Sequence, residues 1–404
     1  MRSESCDIFC NVVDNYGDIG VSWRLARQLA NEYGMAVRLW VDDLGSFGLL
    51  CPELDVTRDE QRCRGVEVLR WTKDVFRSFS HTQTLSRPVG HPLPLAGEGP
   101  GERGVADFVI EAFACRLPES YVQAMASRKR KPVWVNLEYL SAEDWVEGCH
   151  RLTSPHPSLP LTKYFFFPGF TAKTGGLLLE RDLLARRDSF LNAATAQREY
   201  WRNLGISERV AGELRVSLFG YENEAMEGLL GAWGNSAHPV TCLLPEGRSL
   251  PQVAAFFGQQ AGKAGTIWQR GNLSVHVLPF VEQERYDELL WACDVNFVRG
   301  EDSCVRAQWA AKPFIWQIYP QHDGVHLKKL EALRLRYTAG LPFEAAQAVE
   351  ELWQAWNGGQ DISAAWTHFM AQRGVLARHG EGWARQLAGN NLALNLLDFY
   401  RQVA

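Results

Sequence analysis

Two carboxylates four residues apart, Asp14 and Asp18, flank a glycine in the stretch Asp14-Asn15-Tyr16-Gly17-Asp18-Ile19-Gly20. Such a pair is a place for acid–base chemistry, and the glycine lets a ligand approach the backbone closely. The stretch follows the apolar run 8–13 and precedes the amphipathic pattern Val21-Ser22-Trp23-Arg24-Leu25-Ala26. It therefore reads as the loop of a strand–loop–helix unit. Loops at the carboxyl ends of strands are where open α/β sheets bind ligands. Structural uses stay open beside the chemical one: Asp18 as the N-cap of the helix, Asp14 as an Asx-turn. The glycine spacing is not Gly-x-Gly-x-x-Gly, which argues against a dinucleotide oxidoreductase.

A second constellation, Arg299-Gly300-Glu301-Asp302-Ser303, falls between an expected strand over 294–298 and a helix over 305–311. Either Asp302 or Ser303 caps that helix, or the free N–H groups of its first turn and the guanidinium of Arg299 receive a diphosphate. Aromatics end neighbouring strands at Phe219-Gly220-Tyr221 and Pro279-Phe280, where they either pack the core or stack on a base. Gln283 opens the next helix, as an ordinary first-turn residue or as a reader of a base edge. His322-Asp323-x-x-His326 would place two imidazoles on one helix face, but no third ligand accompanies them. No metal site is expected.

These residues need a frame, and the rest of the chain supplies it. Further strands are expected over 37–41, 66–71, 107–113, 133–137 and 164–167, with a helix over 119–126. Ser141 and Asp144 resemble a capping box that opens a short helix at Ala142. A charged helical region over 178–204 breaks the pattern. A second series follows, with strands over 214–219, 240–244, 273–280, 294–298 and 314–318 and helices over 223–233, 283–292 and 305–311. Two consecutive β/α series predict two parallel sheets facing across a cleft. Residues 383–403 read as one long helix free to pack back on either. Gly175-Gly176, after Pro168-Gly169-Phe170, reads as a turn and a candidate hinge. Segment 87–104 holds four prolines and five glycines in eighteen residues, the composition of a disordered surface insertion.

The 404 residues suffice for two or three domains, with 46% hydrophobic and 22% charged positions. A net charge of −5 implies no general attraction to nucleic acid or anionic membrane. The run Arg128-Lys129-Arg130-Lys131 reads as a solvated helix end. Nine cysteines, an odd number without a Cys-x-x-Cys pair, argue against a disulfide framework or structural zinc. With no signal-peptide layout at Met1-Arg2-Ser3-Glu4-Ser5 and no bilayer-length apolar stretch, a cytoplasmic protein is expected.

Four separated motifs in order carry a resemblance. They are Asp14-Asn15-Tyr16-Gly17-Asp18-Ile19-Gly20-Val21, Asn136-Leu137-Glu138-Tyr139-Leu140-Ser141-Ala142-Glu143, Pro168-Gly169-Phe170 with Thr174-Gly175-Gly176, and Arg299-Gly300-Glu301-Asp302-Ser303. Together the chain resembles the EarP family, bacterial rhamnosyltransferases that modify an arginine of elongation factor P. The resemblance runs over nearly the whole chain, interrupted at 87–104. It implies an α/β GT-B fold of two Rossmann-like domains: an acceptor-side domain over 1–184 and a nucleotide-sugar domain over 185–374. The C-terminal helix over 375–404 would be free to pack back on the first domain.

The implied reaction is inverting transfer of L-rhamnose from dTDP-β-L-rhamnose to a guanidinium nitrogen. The family's catalytic carboxylates fall on Asp14, Asp18 and Glu301. Its donor-binding positions fall on Asn15, Tyr16, Gly17, Asp18, Tyr221, Phe280, Gln283, Arg299, Gly300, Glu301, Asp302 and Ser303. Beyond the donor substrate no cofactor is implied, and Asp14-x-x-x-Asp18 is not the Asp-x-Asp pair of many metal-dependent glycosyltransferases. The expected partners are elongation factor P and dTDP-L-rhamnose, without nucleic acid or membrane. The alternatives are a GT-B enzyme with a lipid or polysaccharide acceptor, or a nucleotide-sugar-binding protein without activity. The absence of a basic amphipathic segment argues against a lipid, and the three carboxylates argue against lost activity.

Overall fold

The first apolar run forms β1 (Ser5–Cys10) and leads into α1 (Gly17–Asn31). The strand lies three residues earlier than its hydrophobicity suggests, because Asp7 sits in its middle. That carboxylate is fully buried, and Arg38 (Nη2–Oδ2 2.6 Å) and the Tyr121 hydroxyl satisfy it. Pairing ends at Cys10↔Val41, and Val13 is left 78% exposed in the loop beyond. The computed structural model describes residues 4–13, 16–72, 104–320, 324–359 and 361–404. Asp14, Asn15, His322, Asp323 and residues 87–103 of the expected insertion lie outside them.

The N-terminal half continues through β2 (Ala36–Val41), α2 (Leu44–Leu50), β3 (Glu60–Cys63), β4 (Val66–Arg70) and β5 (Phe108–Ala112). It then adds α3 (Glu119–Ser127), β6 (Val133–Leu137), α4 (Trp145–Cys149), β7 (Thr153–Pro155) and β8 (Thr162–Phe166). The sheet order is β3-β4-β2-β1-β5-β6-β8-β7, parallel except for the antiparallel edges β3 and β7. Lys131 closes the end of α3 by bonding the carbonyls of Ala126 and Arg128, whereas Arg128 turns away to the Ala106 carbonyl and Asp107. The expected capping box is not formed. The Ser141 hydroxyl accepts the N–H of Glu143 (3.1 Å), Asp144 pairs with Arg336, and α4 starts only at Trp145.

The expected charged helical region 178–204 contains α5 (Leu183–Asn192) and α6 (Ala194–Asn203). The second half then runs β9 (Leu214–Leu218), α7 (Met226–Gly234), β10 (Val240–Pro245), α8 (Leu250–Phe256), β11 (Ile267–Arg270) and β12 (Leu273–Leu278). After these come α9 (Gln283–Ala292), β13 (Val295–Arg299), α10 (Asp302–Ala310) and β14 (Phe314–Gln317). The sheet order is β11-β12-β10-β9-β13-β14, again parallel but for one edge, β11. In both sheets strand order reverses beside the first strand, between β1 and β5 and between β9 and β13. Such a reversal leaves a crevice at the strand ends, because the flanking loops part in opposite directions. The two carboxylate-bearing loops sit at these two crevices.

Helices α11 (Val325–Thr338), α12 (Phe343–Gly358), α13 (Ser363–Ala371), α14 (Arg373–Leu387) and α15 (Leu392–Val403) complete the chain. The long helix expected over 383–403 is broken in two. Asn391 caps α15 by accepting the N–H groups of Ala393 and Leu394, and its own backbone pairs with Leu177. The break changes partners. Trp383 and Leu387 of α14 belong to the C-terminal core, whereas Leu396, Leu397 and Tyr400 of α15 join the N-terminal one. Gly176, in the candidate hinge, has φ +79 and lies against the Asn390 carbonyl where a Cβ would collide. The turn is a clasp for the returning C-terminus, and glycine is needed for the approach.

All nine cysteines are free thiols, Cys51 and Cys63 lying with sulfurs 3.0 Å apart. No helix among the described residues is long and apolar enough to cross a membrane.

Candidate active site

Two cavities open in the cleft, and they meet at Gly17, Gly300 and Glu301. The first lies at the strand ends of the C-terminal sheet. Phe219 after β9, Pro245, Phe280, Val281, Gln283 and the whole loop 299–303 line it, with Tyr16, Gly17 and Leu50 facing from the N-terminal half. Its walls are aromatic on one side, where Tyr16 and Phe280 have ring centroids 4.7 Å apart. On the other side the Arg299 guanidinium lies over both Phe219 (4.5 Å) and Tyr221 (4.4 Å). Tyr221 itself is buried behind Arg299 and does not line the cavity.

Loop 299–303 is built differently from either capping expectation. The N-cap of α10 is Glu301, and no side chain caps the helix. The Ser303 hydroxyl turns back to the Arg299 backbone, accepting its N–H (3.1 Å) and donating to its carbonyl. Asp302 is claimed by the other domain, through Arg24 Nε (3.0 Å), and by the Gln283 amide (3.3 Å). The first-turn N–H groups of α10 therefore stay available beside the Arg299 guanidinium, an arrangement that favours an anion. Gln283 also donates to the Gly20 carbonyl (3.0 Å), so it joins the domains while lining the cavity. Its Oε1 is buried without a hydrogen-bond partner among the described residues.

The second cavity, about 230 Å³, lies on the N-terminal side. Asp18, Glu301, Phe113, Tyr139, Tyr319, His326 and Lys329 are among its lining residues. Asp18 sits in the first turn of α1 but does not cap it. Tyr16 is the N-cap, and the Asp18 carboxylate instead accepts the Val13 N–H (2.9 Å) and lines the cavity beside Tyr139. Glu301 reaches across the cleft to accept the N–H of Leu140 (2.9 Å). Two carboxylates from opposite domains thus converge on residues 139 and 140. Burial, with the charges of Asp18 and Glu301 added, pushes the Tyr139 hydroxyl well above its ordinary pKa and keeps it a donor.

Behind the site a buried ion network ties the halves together. Arg24 of α1 meets Asp302, Glu180 (3.2 Å) and Asp287 (3.2 Å), while Arg306 makes a two-pronged contact with Asp287 (2.8 and 2.7 Å) and bonds Glu180 (2.7 Å). Burial alone would raise Glu180, yet Arg306 and Arg24 hold its carboxyl well below the usual range. Burial lifts Asp302 above the usual range in spite of the two arginines.

The cavities bring together Tyr16, Gly17, Asp18, Phe280, Gln283 and residues 299–303. Tyr221 supports from behind, and Asp14 and Asn15 lie outside the described residues. Sequence reasoning gave no role to Tyr286, Phe113, Trp316, Tyr319 or Lys329. Tyr139 stood in a quoted motif without one. Only the strand-end position of Phe113, after β5, carried a usable signal.

Two doubly wound domains with such cavities facing across a cleft make a GT-B glycosyltransferase. A glycosyltransferase structure from Rickettsia africae shares the fold at 8% identity, with a TM-score of 0.52 over 100% of this chain and 99% of the other. Residues 6–401 match the model of the family described as elongation-factor P (EF-P) rhamnosyltransferase EarP. Protein-arginine rhamnosyltransferases of Pseudomonas putida and Pseudomonas aeruginosa are 49% and 47% identical, each over 98% of both chains. A solved structure described as the basis for EarP-mediated arginine glycosylation of translation elongation factor EF-P is 36% identical. It aligns over 99% of each chain with a TM-score of 0.67. The chain belongs to the EarP family.

Proposed function

We propose that this protein-arginine rhamnosyltransferase takes dTDP-β-L-rhamnose as donor and an arginine of elongation factor P as acceptor, with inversion at the anomeric carbon. The observation that carries the reading is the meeting of the two cavities at Gly17, Gly300 and Glu301. In it, the first cavity receives the nucleotide. Its aromatic walls at Tyr16, Phe219 and Phe280 suit a pyrimidine face, and the buried Gln283 Oε1 is an acceptor for a base N–H. Arg299 and the N-terminus of α10 meet the diphosphate charge, with Tyr221 backing Arg299. No metal is assigned to the diphosphate, because these groups already supply its counter-charge.

The acceptor nitrogen enters from the second cavity. A guanidinium has a pKa above about 12, so its nitrogens lack a nucleophilic lone pair at neutral pH. Asp18 holds the cation and takes one N–H proton as the nitrogen–carbon bond forms. The bond from the anomeric carbon to the diphosphate oxygen breaks on the opposite face, and dTDP leaves with the electron pair. Glu301, at the junction, positions the sugar or the acceptor. Asp14 is assigned to orienting the acceptor or its loop. A translation factor as acceptor places the reaction in the cytoplasm.

Intact-mass spectrometry of elongation factor P, incubated with the enzyme and dTDP-L-rhamnose, tests the reading directly. One deoxyhexose increment on an arginine is expected; its absence with donor binding intact would move the acceptor elsewhere. Arg299→Ala should raise the donor Kd by about 10- to 100-fold, the worth of a charge-assisted contact. An unchanged Kd by titration calorimetry would remove Arg299 from the diphosphate site.

A further inference from the structure

Three residues without glycine's freedom adopt left-handed backbone after β5: Phe113 (φ 57), Ala114 (φ 53) and Arg116 (φ 56). Such a conformation is unfavourable for a residue with a side chain and persists only where its surroundings over-determine it. Here they do. The N–H of Phe113 bonds the Leu137 carbonyl (2.7 Å), and Ala114 bonds the buried Asn136 side chain (3.1 Å). Arg116 bonds the buried Glu111 carboxylate (3.0 Å), and the Cys115 thiol donates to the Phe9 carbonyl (3.3 Å). Two buried polar side chains on adjacent central strands thus force this loop into one shape. The shape puts the Phe113 ring on the wall of the second cavity, stacked on Tyr139 with centroids 4.7 Å apart and planes 21° apart.

Tyr139 lines the second cavity beside Asp18, whose charge acts on its hydroxyl, while the next N–H, of Leu140, bonds Glu301. Tyr139 is 37% exposed and lines the second cavity, not the one assigned to the nucleotide. Lys329 stands over the ring, 5.9 Å from its centroid and near the outer limit of cation–π range, so a cation can reach this surface. A guanidinium, planar and weakly hydrated, stacks on such a surface better than an ammonium does.

We propose that Tyr139 is a positioning residue for the transfer, its hydroxyl fixing the Asp18 carboxylate while its ring and that of Phe113 form the wall on which the acceptor guanidinium lies. The inference rests on the reading of the second cavity as the acceptor site. It explains why backbone strain is concentrated in residues 113–116. It also divides the labour of one side chain: the hydroxyl acts on the step, the ring on acceptor binding.

The test is steady-state kinetics of the intact enzyme with dTDP-L-rhamnose and elongation factor P, for the wild type, Tyr139→Phe and Phe113→Leu. Tyr139→Phe keeps the ring and should lower kcat by about 10- to 100-fold, the penalty of a misplaced reacting group, with acceptor KM unchanged. Phe113→Leu should raise acceptor KM by about 3- to 30-fold with kcat unchanged. Donor Kd and melting temperature should stay at wild-type values in both. An inactive wild type overturns the transfer reading and this proposal with it. An active wild type matched by Tyr139→Phe in kcat overturns the positioning role alone, and an unmoved acceptor KM in Phe113→Leu overturns the aromatic wall. Losses of kcat, donor affinity and melting temperature together would make Tyr139 structural and overturn the proposal as well.

Discussion

Asp18→Asn should lower kcat by about 10²- to 10⁴-fold, the range contributed by a positioned general base. The substitution conserves shape and keeps an oxygen to accept the Val13 N–H, so the first turn of α1 should stand. What is lost is the proton acceptor. Asp18 lines the carboxylate cavity and not the aromatic one, so the donor Kd should move little. Single-turnover kinetics beside donor titration separates the two effects. A collapse of donor affinity would make Asp18 a binding residue, while retained turnover would pass the base role to Asp14. Two carboxylates on one loop can share the role of base, so single variants of both are needed.

The second large effect is expected at Arg24. Its guanidinium is 1% exposed and serves Asp302, Glu180 and Asp287, all from outside its own helix. Arg24→Met removes one of two cations from a network of three carboxylates. Breaking a buried pair by deleting one partner typically costs about 3–5 kcal/mol, because the remaining charge is stranded. Asp302 should show this first, since Arg306 is not bonded to it and burial already lifts its pKa. A midpoint shift in urea unfolding measures the loss. Loop 299–303 would lose its anchor to α1 at the same time, so donor affinity should fall although Arg24 does not line the nucleotide cavity. Adding Asp302→Asn should restore part of the stability, and strict additivity of the two variants would show that they do not interact.

The two variants test different layers of the molecule, and those layers were unequally legible in the sequence. The C-terminal strands over 214–219, 240–244, 273–280, 294–298 and 314–318 were placed within two residues at each end. Buried parallel strands are continuous apolar runs, a signal that needs no knowledge of neighbours. The edges β3, β7 and β11 were missed. Their sequences Glu60-Gln61-Arg62-Cys63, Thr153-Ser154-Pro155 and Ile267-Trp268-Gln269-Arg270 are polar or short, and pairing with a neighbour is what makes them strands. The break between α14 and α15 was marked locally by Gly389-Asn390-Asn391, yet the apolar period reads straight through it.

The sequence by itself determined the two β/α series, the strand-end positions of both carboxylate loops and the family, because each depends on residues near one another in the chain. Tertiary structure alone decided the strand orders that open the two crevices and the diversion of Asp302 from helix capping to Arg24. It also decided the stacking of Phe113 on Tyr139 and the approach of Asp18 and Glu301 to residues 139 and 140. Arg24 and Asp302 are 278 residues apart. Their pairing depends on how two independent cores dock, and no local period or propensity encodes that.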